Sequence, residues 1–135
     1  MSLPKIAVTM GDPAGIGPEI CLHLLQNKDL AKQCVPIIFG DRMVLEQAAE
    51  QCGLRKPTTY INGLTEAEGP CVLDLSAIPL SDFETGTINA ATGRAGYTYV
   101  EDAINAALSG QVAAVTTAPL NKEALRAAGV PFPGH

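Results

Sequence analysis

The chain has 135 residues, room for one hydrophobic core and therefore one domain at most. Apolar residues make up 47% and charged residues 17%, which excludes a disordered or low-complexity chain. The net charge is −5 and the nine lysines and arginines form no cluster along the sequence, so a nucleic-acid partner is not expected.

Taken in order, the apolar run KIAVT at 5–9 predicts a first strand, and VPIIF at 35–39, TTYI at 58–61, CVLDL at 71–75 and VAAVTT at 112–117 predict four more. Helical periodicity lies between them. Gly17, Ile20, Cys21, Leu24 and Leu25 share one helical face, and Leu45, Ala48, Ala49 and Cys52 share another. A longer helix is predicted from about Asn89 to Ser109, with Val100, Ala103, Ile104, Ala107 and Leu108 as its apolar stripe and Gly110 as its stop. Residues 62–70 read as a loop and 76–92 as a longer irregular crossing. Alternating strands and helices imply an α/β fold: a mainly parallel sheet with helices on both faces.

Cys21, Cys34, Cys52 and Cys71 lack metal or redox spacing and sit in apolar stretches, so they read as small reduced core residues, which points to the cytoplasm. No apolar run approaches the roughly 18 residues of a membrane span, and no membrane partner is expected. With two histidines, His23 and His135, and no ligand spacing, the chain offers no metal site of its own.

Ligands of parallel sheets bind beyond the carboxyl ends of strands. Three polar or glycine-rich stretches should lie there: Met10-Gly11-Asp12, Gly40-Asp41 and Thr116 to Lys122. The first, within MGDPAGIGPEI, is neither a dinucleotide fingerprint nor a P-loop, since Pro18 follows Gly17 and no Gly-Lys-Ser/Thr is present. Pro18 suits the first helical position, and Glu19 in the first turn repels phosphate. A tight strand-to-helix turn and a ligand-lining loop explain this stretch equally well. In TTAPLNKEAL, Asn121 suits a helix N-cap, while Lys122 puts a cation near a positive helix end, a placement explained by a solvated lysine or by a shared anion.

Together, AVTMGDPAGIGPEI, TTAPLNKEALRAAG and VPFPGH resemble the 4-hydroxythreonine-4-phosphate dehydrogenase family of vitamin B6 biosynthesis, in order and along the whole chain. The resemblance implies an isocitrate/isopropylmalate dehydrogenase-like fold, incomplete in this chain, which would be an N-terminal part of the enzyme spanning residues 1–135. It implies a cytoplasmic homodimer that oxidises 4-phosphooxy-L-threonine with NAD, followed by decarboxylation to 3-amino-2-oxopropyl phosphate. A divalent metal (zinc, magnesium or cobalt) would be bound by histidines outside this chain. By position, His135, Thr117, Asn121 and Lys122 would bind substrate, and Asp12, Gly15 and Ile16 of the first turn would lie near the cofactor. No catalytic residue is assigned. Alternatives are a related dehydrogenase of D-threonate or D-erythronate 4-phosphate, and, in another class, a non-catalytic nucleotide- or phosphate-binding module or an acyl-phosphate transferase. The 135 residues alone are expected to be inactive, with bare apolar surface at an open sheet edge.

Overall fold

A computed structural model of the protein describes residues 3–78 and 89–130. Five strands form one sheet: β1 (Lys5–Thr9), β2 (Val35–Gly40), β3 (Tyr60–Ile61), β4 (Cys71–Asp74) and β5 (Ala114–Thr117). The order is β3-β4-β2-β1-β5 and every pairing is parallel. The helices are α1 (Gly17–Leu25), α2 (Lys28–Ala31), α3 (Arg42–Cys52), α4 (Ala90–Leu108) and α5 (Lys122–Ala127). The expected α/β class is what is observed.

β2 is buried at all six residues because it lies mid-sheet with both faces covered, which is why its sequence is a continuous apolar run. From β1 the chain moves through α1 to β2 and onward to β4, then returns through α4 across the sheet to β5. Right-handed crossovers in these two directions put α1 and α3 on one face and α4 on the other. The packing agrees: α1 lies against α3, and α4 against α5. The chain therefore reverses direction at the β1–β5 pair, whose carboxyl ends are where open parallel sheets place their ligands.

Several elements are shorter than the apolar runs suggest. The run at 58–61 pairs only over Tyr60–Ile61 and that at 112–117 only over Ala114–Thr117. The loop at 62–70 contains a single 3-10 turn at Leu64–Glu66, and residues 90–92 of the expected crossing already belong to α4.

The inner face of α4 differs from its apolar stripe. Thr92, Gly93, Ala95, Gly96, Tyr99, Val100, Ala103 and Ala106 are buried, whereas Ile104 is 46% and Leu108 81% exposed. Small residues carry this interface: a side chain at Gly93 would collide with the Ala124 carbonyl of α5, so the two backbones meet directly. Hydrophobicity ranked the large residues first, but close approach selected the small ones. Similarly, α1 buries Pro18 and Leu22 with Gly17 and Cys21, while Ile20 points outward. In α3, Val44 joins Leu45 and Ala49 inside. Of the cysteines, Cys21 and Cys71 are core residues; Cys34 is half-buried and Cys52, at the last turn of α3, is exposed, correcting its expected burial.

Candidate active site

β1 runs into a loop that doubles back under β5. Thr9 accepts from the Ala118 N–H at 2.9 Å, Met10 N–H donates to Phe39 O at 3.0 Å, and Asp12 N–H donates to Pro119 O at 3.0 Å. The GDPAG and PLNK stretches, far apart in sequence, are thus joined backbone to backbone at the carboxyl ends of β1 and β5. Gly11 makes this possible. Its φ is +74°, and a Cβ there would strike Pro119 O and lie 2.8 Å from Ala118 O. Gly15 is different: it is exposed, and a Cβ would sit an ordinary 3.5 Å from Asp12 O. Nothing in the turn itself demands glycine at that position.

Asp12 is buried, and its Oδ1 accepts from the Ala14 N–H at 2.9 Å, closing a local turn. Burial raises its carboxyl pKa, an effect only partly opposed by that hydrogen bond. Ile16, 61% exposed, holds an apolar surface outward beside Gly15, on a shallow groove of about 300 Å3 formed with α3 residues Val44, Ala48 and Cys52. Ile16 is also the N-cap of α1, so Pro18 occupies the second helical position rather than the first; its missing N–H is still one of the unpaired donors.

On the neighbouring strand, Thr117 ends β5 in register with Thr9 of β1. Thr117 is half-buried. Thr9 is fully buried, and its Oγ1 has no hydrogen-bond partner among the described residues. An orphaned buried hydroxyl is uncommon, and this one lies at the last position of β1, beside the strand reversal. Asn121 caps α5, its Oδ1 accepting from Ala124 N–H at 3.0 Å, and Lys122 follows, exposed, as the first residue of that helix. Thr117, Asn121 and Lys122 therefore share one edge with Asp12, Gly15 and Ile16. His135 lies outside the described residues.

The third edge position, Asp41, is tied into the scaffold. Although it is the N-cap residue of α3, its side chain turns away from that helix. Its carboxylate accepts from the Ala77 and Ile78 N–H groups at 3.0 and 3.1 Å and from the Tyr99 hydroxyl at 2.6 Å. Asp74, ending β4, takes over the α3 terminus by accepting from Arg42 N–H at 3.2 Å. Burial, then the Asp41 carboxylate, drives the Tyr99 phenol pKa well above its ordinary value, so it stays a donor. Sequence reading did not find Tyr99 or Thr9. Tyr99 sat outside the apparent stripe, and a single threonine ending a strand carries no signal. Among the described residues no group of three or more His, Cys, Asp or Glu side chains converges, so they do not fit a metal centre by themselves. Nor is any described helix long and apolar enough to cross a membrane.

A profile of the family described as pyridoxal phosphate biosynthetic protein PdxA matches residues 32–135. The chain belongs to this family. It is 37% identical over 139 residues to the 4-hydroxythreonine-4-phosphate dehydrogenase of Trichlorobacter lovleyi, covering 98% of this chain and 41% of that protein. It is 39% identical over 138 residues to a Symbiobacterium thermophilum protein provisionally named a D-threonate 4-phosphate dehydrogenase, again covering 98% and 41%. The crystal structure of a Burkholderia phymatum 4-hydroxythreonine-4-phosphate dehydrogenase matches all of this chain with a TM-score of 0.89 at 39% identity, over 42% of its own length. The structure of a terephthalate 1,2-cis-dihydrodiol dehydrogenase from Burkholderia xenovorans matches at 0.75 and 31% identity, over 98% of this chain and 39% of that one. The chain thus spans about 41% of the length of the curated relatives it matches.

Proposed function

We propose that the chain forms one wall of the active site of an NAD-dependent dehydrogenase that oxidises a phosphorylated four-carbon hydroxy acid. The observation that supports this best is the backbone joint between Asp12 and Pro119, which brings both family motifs together at the strand reversal. On this reading Thr117, Asn121 and Lys122 face the substrate, with Lys122 supplying positive charge for its phosphate, and His135 adds a further contact. Asp12, Gly15 and Ile16 face the cofactor. NAD would supply the hydride acceptor; the exposed Gly15 and the outward side chain of Ile16 suit a ring or ribose resting on that loop.

The preferred substrate is 4-phosphooxy-L-threonine, with loss of carbon dioxide to give 3-amino-2-oxopropyl phosphate in pyridoxine biosynthesis. A specific second reading is oxidation of D-threonate 4-phosphate, a substrate that the provisional name of the Symbiobacterium relative includes. A homodimer and a divalent metal bound by residues beyond this chain rest on the resemblance alone, a cytoplasmic location rests on the reduced cysteines, and no step is assigned through the metal. Steady-state turnover of both phosphorylated acids by the full-length protein, each with NAD and with NADP, separates the readings. The proposal requires a clear preference for one four-carbon phosphorylated acid and for NAD. Binding of NAD and substrate without any turnover would instead favour a non-catalytic phosphate-binding module.

A further inference from the structure

A second cleft lies at the opposite pole of the sheet, among residues that precede the strands. It measures about 480 Å3, within the range of small-molecule sites. The end of α1, the junction to α2 and residues 55–59 before β3 enclose it, with Pro70 before β4 at its base. The half-buried Leu25, Ala31, Pro57 and Pro70 supply an apolar lining. The rim carries Lys28, Arg55 and Lys56, three of the nine basic residues of a chain of net charge −5, and no aspartate or glutamate. Basic residues that do not cluster along the sequence are thus gathered by the fold.

Two features oppose the field of these cations. The carboxyl end of α1 points here and presents roughly half a negative charge. Lys56 also approaches Glu50 at 3.8 Å, an exposed pair of little strength. Lys28 and Arg55 have no ion pair among the described residues, so the net field remains positive. The wall is also braced, because the Gln26 side-chain amide donates to the Arg55 carbonyl at 3.2 Å and pins the Arg55 loop to α1. The hydroxyls of Thr58 and Thr59 add neutral donors on the same rim.

We propose that this cleft binds a small phosphorylated organic molecule, its phosphate held by Lys28 and Arg55 and its carbon body laid on the Leu25 and Pro57 lining. Arginine's planar fork suits two phosphate oxygens, and the apolar lining favours a ligand that is more than the bare ion. Because the cleft and the Asp12–Pro119 joint lie at opposite ends of the strands, occupancy here does not require the proposed substrate site to be empty.

Calorimetric titration of the full chain with phenyl phosphate, inorganic phosphate and benzyl alcohol tests the proposal. Saturable binding of phenyl phosphate is expected, at least about tenfold tighter than either of the other two. The Lys28→Ala/Arg55→Ala double variant, whose replaced side chains are solvent-exposed, should weaken it by about tenfold or more, and Lys122→Ala should leave it unchanged. Raising salt should weaken binding. Absence of saturable binding, equal affinity for inorganic phosphate, or sensitivity to Lys122→Ala instead of the double variant would each overturn it.

Discussion

The Tyr99 hydroxyl donates to Asp41 Oδ1 at 2.6 Å, joining the middle of α4 to the carboxyl end of β2 across 58 residues of sequence. The same carboxylate holds the Ala77 and Ile78 backbone, so one buried acid fixes a crossing helix and the exit from β4. Tyr99→Phe keeps the ring packing but removes the donor. A loss of about 1.5–3 kcal/mol is expected, the usual worth of a hydrogen bond to a charged group, read as a lower urea midpoint with unchanged slope. Asp41→Ala should cost more, because it strands three donors. A Tyr99→Phe protein as stable as the parent would show that the bond contributes nothing net.

Two glycines of the first loop should respond oppositely to alanine. Gly11→Ala needs a left-handed residue and pushes a methyl into Pro119, so a loss of at least about 2 kcal/mol is expected. Gly15→Ala meets only ordinary contacts and should stay within about 1 kcal/mol of the parent. If Gly15 faces the cofactor, this near-neutral change should still raise the KM for NAD in the full-length enzyme. Thermal melts of both variants beside the KM measurement distinguish a structural role from a binding one.

Asp12 supplies a pH signature. Its folded pKa is raised by burial above the ordinary 3.8, so the native state holds its proton more tightly than the unfolded chain. Between the unfolded and folded pKa values the native state binds more protons, and the Asp12 contribution to stability falls as pH rises through that window. Above it a constant penalty remains. Asp12→Asn retains an oxygen for the Ala14 N–H and removes the charge. At neutral pH this variant should melt at or above the parent temperature, and its advantage should shrink on acidification. A variant less stable than the parent at neutral pH, with the gap closing in acid, would mean that the buried charge stabilises the fold.

Asn121 carries two candidate roles that one pair of variants separates. As a cap it needs only an oxygen for the Ala124 N–H, which an aspartate side chain would also provide. Asn121→Asp should preserve stability, whereas Asn121→Ala should lose about 1 kcal/mol. If the side chain also touches a phosphorylated substrate, Asn121→Asp should raise the substrate KM by like-charge repulsion despite its normal melting temperature. An unchanged KM in that variant would confine Asn121 to capping.

The sheet was legible because parallel strands buried on both faces must be continuously apolar, and VPIIF and KIAVT fit no other element as well. The edge on which the site sits followed from topology. What stayed hidden depends on contacts between distant segments. The α4 interface was misjudged because Gly93 and Gly96 carry no hydrophobic signal, although they alone permit backbone contact with α5 and the Gly11 loop. The Asp41–Tyr99 pair and the grouping of Lys28 with Arg55 exist only once strand order is known. Asn121, by contrast, was readable as a cap, because a helix end is local chemistry.

The cysteines offer a test of packing that requires no knowledge of function. Burial pushes the Cys21 thiol up to about 12 and the Cys71 thiol up to about 11, so neither holds appreciable thiolate at neutral pH, and neither is accessible. Cys52 lies exposed at the end of α3 beside the Ile16 groove. In the native protein a disulfide-exchange reagent should therefore modify Cys52 first and Cys34 more slowly, leaving Cys21 and Cys71 protected until denaturant is added. Peptide mapping after brief labelling reads this order directly. Early modification of Cys21 would mean that α1 lifts from the sheet, and with it the loop that carries Asp12, Gly15 and Ile16.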